Sequence, residues 1–131
     1  MHGGDPVTLD DALGFHLTEL GPVVAHAQVE IDERHLQPLG VVHGGVYAAL
    51  AESLASHATA ATVMSDGQLA LGLSNLTSFF RPVSSGLIRA EATRLHRGRT
   101  TWVWDVSFTE AAGALCATSR VTVAVRPAEP A

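Results

Sequence analysis

The sequence holds no lysine, so all eight of its cationic side chains are arginines, and it holds a single cysteine, Cys116. One cysteine excludes an intrachain disulfide and a cysteine zinc cluster, and it makes a reducing cytoplasm the natural setting, with Cys116 packed as a small hydrophobe. No apolar run approaches the roughly 20 residues of a membrane span. The longest helical stretch is punctuated by Glu52, Ser53, Ser56, His57 and Thr59. The leading MHGGDPVTLDD lacks the basic region and apolar core of a secretion signal. A net charge of −5 speaks against general nucleic-acid binding. HExxH, P-loop, GxSxG and dinucleotide fingerprints are missing, and the seven histidines show no paired metal-ligand spacing, so neither a metal nor a redox cofactor is expected.

What is present points to one domain over residues 1–131 with a core from about 13 to 126. A hydrophobic fraction of 47% beside 16% charged residues is high for a small soluble chain, which predicts that another copy covers part of its surface. Asp5 to Leu13 reads as a short helix with Thr8 as N-cap and Asp10 and Asp11 in its first turn. Val23, Ala25, Ala27, Val29 and Ile31 alternate with more polar neighbours, the period of a strand with one buried face. Gln37 to Gly40 is a loop, and a helix of about 18 residues begins near Gly44 or Gly45. Ser65-Asp66-Gly67 stops it. Four strands follow, marked by Leu69, Leu71 and Leu73; by Ile88, Ala90 and Ala92; by Trp102, Trp104, Val106 and Phe108; and by Leu115, Ala117, Ser119, Val121, Val123 and Val125. Consecutive strands with short turns pair antiparallel, and one apolar helix against one sheet makes an α+β domain in which the sheet wraps the helix.

The segment QPLGVVHGGVYAALAESLAS, residues 37–56, carries the chemistry. From Gly45 to Val63 there is no Lys, Arg or Asp, so the helix is expected to be buried and Glu52 with it. A lone carboxylate in such a setting suits an acid, base or nucleophile, or is satisfied by an internal hydrogen bond. His43-Gly44-Gly45 leads into the helix N-terminus, whose free N–H groups and positive dipole end favour a developing oxyanion and whose glycines let a ligand approach closely. The same glycines would also serve a tight turn. Ser56 follows Glu52 by one helical turn, so its hydroxyl can hold a water or the carboxylate itself. Five of the arginines, Arg81, Arg89, Arg94, Arg97 and Arg99, fall within 19 residues. They are either solvated strand ends or an anion site, because guanidinium forks suit phosphate.

Gln37, His43-Gly44-Gly45, Leu50-Ala51-Glu52 and Ser56, with Phe79-Phe80-Arg81-Pro82 and His96-Arg97-Gly98 downstream, resemble the hotdog-fold acyl-CoA thioesterases, in the branch of phenylacetic-acid-pathway and hydroxybenzoyl-CoA enzymes. The resemblance runs from about Leu13 to Val125. It implies that Glu52 is the nucleophile or general base, that Gly44 gives a backbone N–H to the thioester carbonyl, that Gln37 and His43 shape the site, and that Ser56 supports the hydrolytic water. It extends substrate and coenzyme A contacts to Gly45, Ser78, Phe79, Arg81, His96, Arg97, Gly98 and Arg99. Relatives often carry Asn where Ser78 stands. The acyl group expected is aromatic or of short to medium length, and coenzyme A belongs to the substrate.

Eight residues of helix span about 12 Å, so Gly44 and Glu52 of one chain can hardly meet at one carbonyl carbon. Two antiparallel helices from two chains can. The expectation is a homodimer with its sites at the interface, or a homotetramer made of two such dimers, cytoplasmic and without a membrane partner. Two alternatives share the fold: a (3R)-hydroxyacyl hydratase or dehydratase, and a non-catalytic acyl-CoA sensor.

Overall fold

The Thr8 hydroxyl accepts the Asp11 N–H at 3.2 Å while the Asp11 carboxylate accepts the Thr8 N–H, a capping box that starts helix α1, Leu9–Leu13. The computed structural model describes residues 7–128, so the earlier part of the helix expected from Asp5 lies outside the described residues. Gly14 ends α1 in the left-handed region, at φ 70°. Strands β1 (His16–Leu20) and β2 (Val24–Ile31) follow, then a 3-10 turn over Glu33–His35 and helix α2 (Gly44–Val63). The chain closes with β3 (Gln68–Phe79), β4 (Gly86–Arg97), β5 (Thr101–Thr109) and β6 (Leu115–Pro127).

The six strands form one antiparallel sheet in the order β1-β2-β4-β5-β6-β3, wrapped around α2. Leu50, Ala51, Leu54, Ala55 and Ala58 of α2 are fully buried against Ile88, Trp104, Phe108, Val121 and Val123. Alanine at three of those helix positions lets the sheet approach the helix backbone closely. Both tryptophans belong to this core: Trp102 and Trp104 are buried, and the Trp104 indole N–H donates to Thr59 Oγ1 at 3.0 Å. Thr59 passes its own proton to the Ala55 carbonyl at 2.8 Å, so the buried pair is satisfied. Cys116 is buried with its thiol toward the Phe108 carbonyl, as a small hydrophobe should be.

Three sequence expectations need correction. β1 is an additional strand: its five residues, mostly exposed, carry no clear buried alternation. Val23 is 47% exposed because it lies in the turn closed by the Gly21 N–H on the Val24 carbonyl, one residue before β2 begins. Leu69, Leu71, Leu73 and Leu115 are exposed rather than core residues. The leucines of β3 are uncovered where β3 forms one of the two free edges of the sheet, and Leu71, Leu73, Leu76 and Phe79 are each more than half exposed. An open edge this apolar is a template for pairing with another chain.

Candidate active site

The loop before α2 is built by short backbone bonds. Gln37 N–H donates to the Val41 carbonyl and Gly40 N–H to the Gln37 carbonyl, both at 2.9 Å, with Gly40 at φ 82°. His43 is then held by its N–H on the His35 carbonyl at 2.8 Å, in the extended conformation of an N-cap. Its Nδ1 accepts the Gly45 N–H at 2.8 Å. A backbone N–H can only donate, so the neutral ring carries its proton on Nε2, facing away from the cap. Among the described residues the Gly44 N–H meets no acceptor, which leaves it as the open donor at the positive end of a 20-residue helix. The Gln37 side-chain oxygen accepts from the Leu39 N–H, which leaves its amide NH₂ to donate. Phe79 lies against Gly44 so closely that a Cβ there would come within 2.6 Å of its ring. Gln37, Gly44, Tyr47, Phe79, Phe80 and Arg81 contribute to the wall of a cavity of about 390 Å³ at this helix end.

Two turns further on, Glu52 is exposed, against the expectation that it would be buried. The reason is topological. The sheet covers α2 on the side of Leu50 and Leu54, but β3 is its last strand, so the stripe of Gly45, Glu52 and His57 stays open beside that edge. Glu52 lines a second cavity, of about 590 Å³, with Asp10, Ala48, Ser53, Asn75 and Thr77. Ser53 Oγ donates to Asp10 at 2.6 Å, and the Ser53 carbonyl accepts His57 Nδ1–H at 2.7 Å. Ser56 does not hold the Glu52 carboxylate: its hydroxyl is shielded and has no partner among the described residues.

The candidate residues therefore fall into separate groups within one chain. Gln37, His43, Gly44, Gly45, Phe79 and Arg81 gather at the N-terminus of α2, while Glu52 lies about two turns away in a different cavity and Ser56 a further turn along the helix, outside the walls of both. His96, Arg97, Gly98 and Arg99 sit at the opposite end of the sheet: the Thr100 carbonyl accepts the Val125 N–H, and Val125 pairs with Ala70 just after α2 ends. The Arg94 and Arg97 guanidinia stack over Trp102 at 5.0 and 4.8 Å from its centroid. Ser78 is not with the site at all. It pairs with Thr118 and lines a groove with Glu91 and Arg120 on the outer face, because its neighbour Phe79 takes the inner one.

Sequence reasoning passed over Tyr47, Gly72 and Asn75, and read Asp10 only as a residue of the first helical turn. Asn75 donates to the Ala48 carbonyl at 2.8 Å and accepts from Thr77 at 2.7 Å, bracing β3 against α2. A lone Asn inside the leucine-rich run of β3 was the available signal for it. Tyr47 is buried against Phe79 and Phe108, and burial pushes its phenol well above the usual tyrosine range.

Residues 39–117 match the family model described as "Thioesterase superfamily". The Mycobacterium tuberculosis protein Rv1847 is 45% identical over 106 residues, 79% of this chain and 76% of that one. Its solved structure superimposes with a TM-score of 0.87 at 42% identity, over 92% of this chain and 98% of its own. The proofreading thioesterase EntH of Cronobacter turicensis is 40% identical over 118 residues, 90% of this chain and 85% of its own. The crystal structure of thioesterase HI1161 from Haemophilus influenzae gives a TM-score of 0.86 at 33% identity, over 94% and 85% of the two chains. With a hotdog architecture and a family match over most of its length, the chain belongs to the thioesterase superfamily and is a thioester hydrolase.

Proposed function

We propose that this thioester hydrolase acts on acyl-CoA, as a cytoplasmic homodimer whose two sites each combine Gly44 of one chain with Glu52 of the other. The observation that carries the reading is the pairing of an open Gly44 N–H at a helix N-terminus with an exposed carboxylate two turns along the same helix. The thioester carbonyl oxygen takes the Gly44 N–H, where the helix dipole stabilises the negative charge that develops there. The Glu52 carboxylate of the second chain either takes a proton from the water that attacks the carbonyl carbon, giving the free acid directly, or attacks that carbon itself to form a mixed anhydride that water then hydrolyses to the free acid and Glu52; in either route the C–S bond breaks and coenzyme A leaves as a thiolate that is then protonated. His43 Nε2–H and the Gln37 amide orient the carbonyl. Tyr47, Phe79 and Phe80 give the cavity beside Gly44 walls suited to an aromatic or short to medium acyl group. Arg97 and Arg99 meet coenzyme A phosphates, and no metal or redox cofactor takes part.

After two β3 edges pair, Leu76 opposite Arg120 on the outer face is still uncovered, which favours two dimers associating as a tetramer through that face. Thiol release from aromatic, short-chain and long-chain acyl-CoAs tests the reading, with Glu52→Gln beside the parent. The variant should melt like the parent, because Glu52 is exposed, and lose about 10³-fold in kcat, within the range typical of a positioned acid or base. Turnover within a few-fold of the parent would contradict the assignment.

A further inference from the structure

We infer that Gly72 is a positioning residue for Glu52: the space left by its missing side chain is the seat in which the Glu52 carboxylate lies. The inference rests on Glu52 being the reacting carboxylate. Gly72 stands on the inner face of β3, opposite Val123 of β6. A Cβ added there would come within 2.9 Å of both Cδ and Oε2 of Glu52, and within 3.1 Å of its Cγ. Those are the nearest heavy atoms, and all three belong to the far end of one side chain. Gly72 is absent from the positive-φ glycines, so its backbone is one that any residue can adopt. Glycine is needed at this point for room rather than for conformation.

The surrounding geometry makes the seat definite. The β3–β6 register shifts between Gly72 and Ser74, leaving Leu73 as the extra residue of a bulge, a device that re-aims a strand locally. Three residues on, Asn75 donates to the carbonyl of Ala48, the residue one turn before Glu52. Asn75 is itself held by Thr77, whose hydroxyl pairs with buried Ser119 at 2.7 Å. Helix and strand are thus pinned together one turn from Glu52, and the carboxylate fills the remaining space over Gly72.

The substitution Gly72→Ala is a selective perturbation, because what it displaces is the flexible end of Glu52 and not the fold. A shift of about 1 Å at a reacting group can cost on the order of 100-fold in rate. In the full-length oligomer, Gly72→Ala should lower kcat at least about tenfold and leave KM within about threefold, since remote contacts with coenzyme A are untouched. The double variant Gly72→Ala/Glu52→Gln should be no slower than Glu52→Gln alone, because no carboxylate remains to be displaced. A Gly72→Ala enzyme with parent kcat, while Glu52→Gln is inactive, would overturn the seat and spare the catalytic assignment. An active Glu52→Gln would overturn both. Should Gly72→Ala fail to fold, Gly72→Ala/Glu52→Ala should fold, as it removes all three obstructing atoms; failure of both would show that Gly72 serves packing and overturn the inference.

Discussion

Arg97 ends β4 with its guanidinium stacked on Trp102, beside the turn that carries Arg99. Stacking fixes the plane of the guanidinium without using its outer N–H groups, which stay available for an anion. Replacing both Arg97 and Arg99 by Ala should therefore raise KM for acyl-CoA about tenfold or more and change kcat less than about threefold, as expected for contacts equal in ground and transition states. Raising the salt concentration should shift the parent the same way. A loss of kcat at unchanged KM would show the arginines to be misread. At this scale the sequence was most informative about residue type and least about exposure. Glu52 reads as buried because its neighbours along the chain are apolar; it is exposed because neighbours along the chain do not determine which face the sheet covers.

At the scale of elements, the core faces of β2, β4, β5 and β6 were legible, since their apolar periods agree with their burial, and α2 was legible as a long apolar helix but not in which of its sides stays open. β1 was not legible: five residues with little burial give no period to read. What holds β1 is largely lateral. It pairs with β2, and His26 of β2 places Nδ1 at 2.5 Å from Glu19 of β1 and Nε2 at 2.9 Å from Glu91 of β4. These hydrogen bonds, that to Glu91 first and that to Glu19 next, raise the His26 pKa above its ordinary value. A group with a raised folded pKa stabilises most below its unfolded value and loses that contribution as pH rises through the folded one. The parent should therefore melt above His26→Gln at about pH 6, and the gap should shrink toward about pH 9. A gap independent of pH would mean that the imidazolium does not tie the three strands together.

For the whole molecule, three features share one side: the unpaired edge of β3, Phe79 on its inner face, and the open stripe of α2 that bears Glu52. A second chain laid antiparallel along that side would cover all three and bring its Gly44 to the first chain's Glu52, which the helix length forbids within a single chain. The order of motif and carboxylate suggested this arrangement in the sequence; the uncovered edge, invisible there, is the independent support for it. The decisive measurement is complementation between two inactive variants, Glu52→Ala and Gly44→Pro. Proline removes the Gly44 N–H at the first helical position, where it is tolerated, and His43 at φ −64° and ψ 133° already has the backbone a proline requires before it. Only the Phe79 ring, 57% exposed, must swing aside. Refolded together in equal amounts, the variants should recover roughly a quarter of parent activity, since half of the dimers are mixed and each has one intact site of two. Mixed dimers verified by mass, with activity no higher than either variant alone, would contradict the shared site.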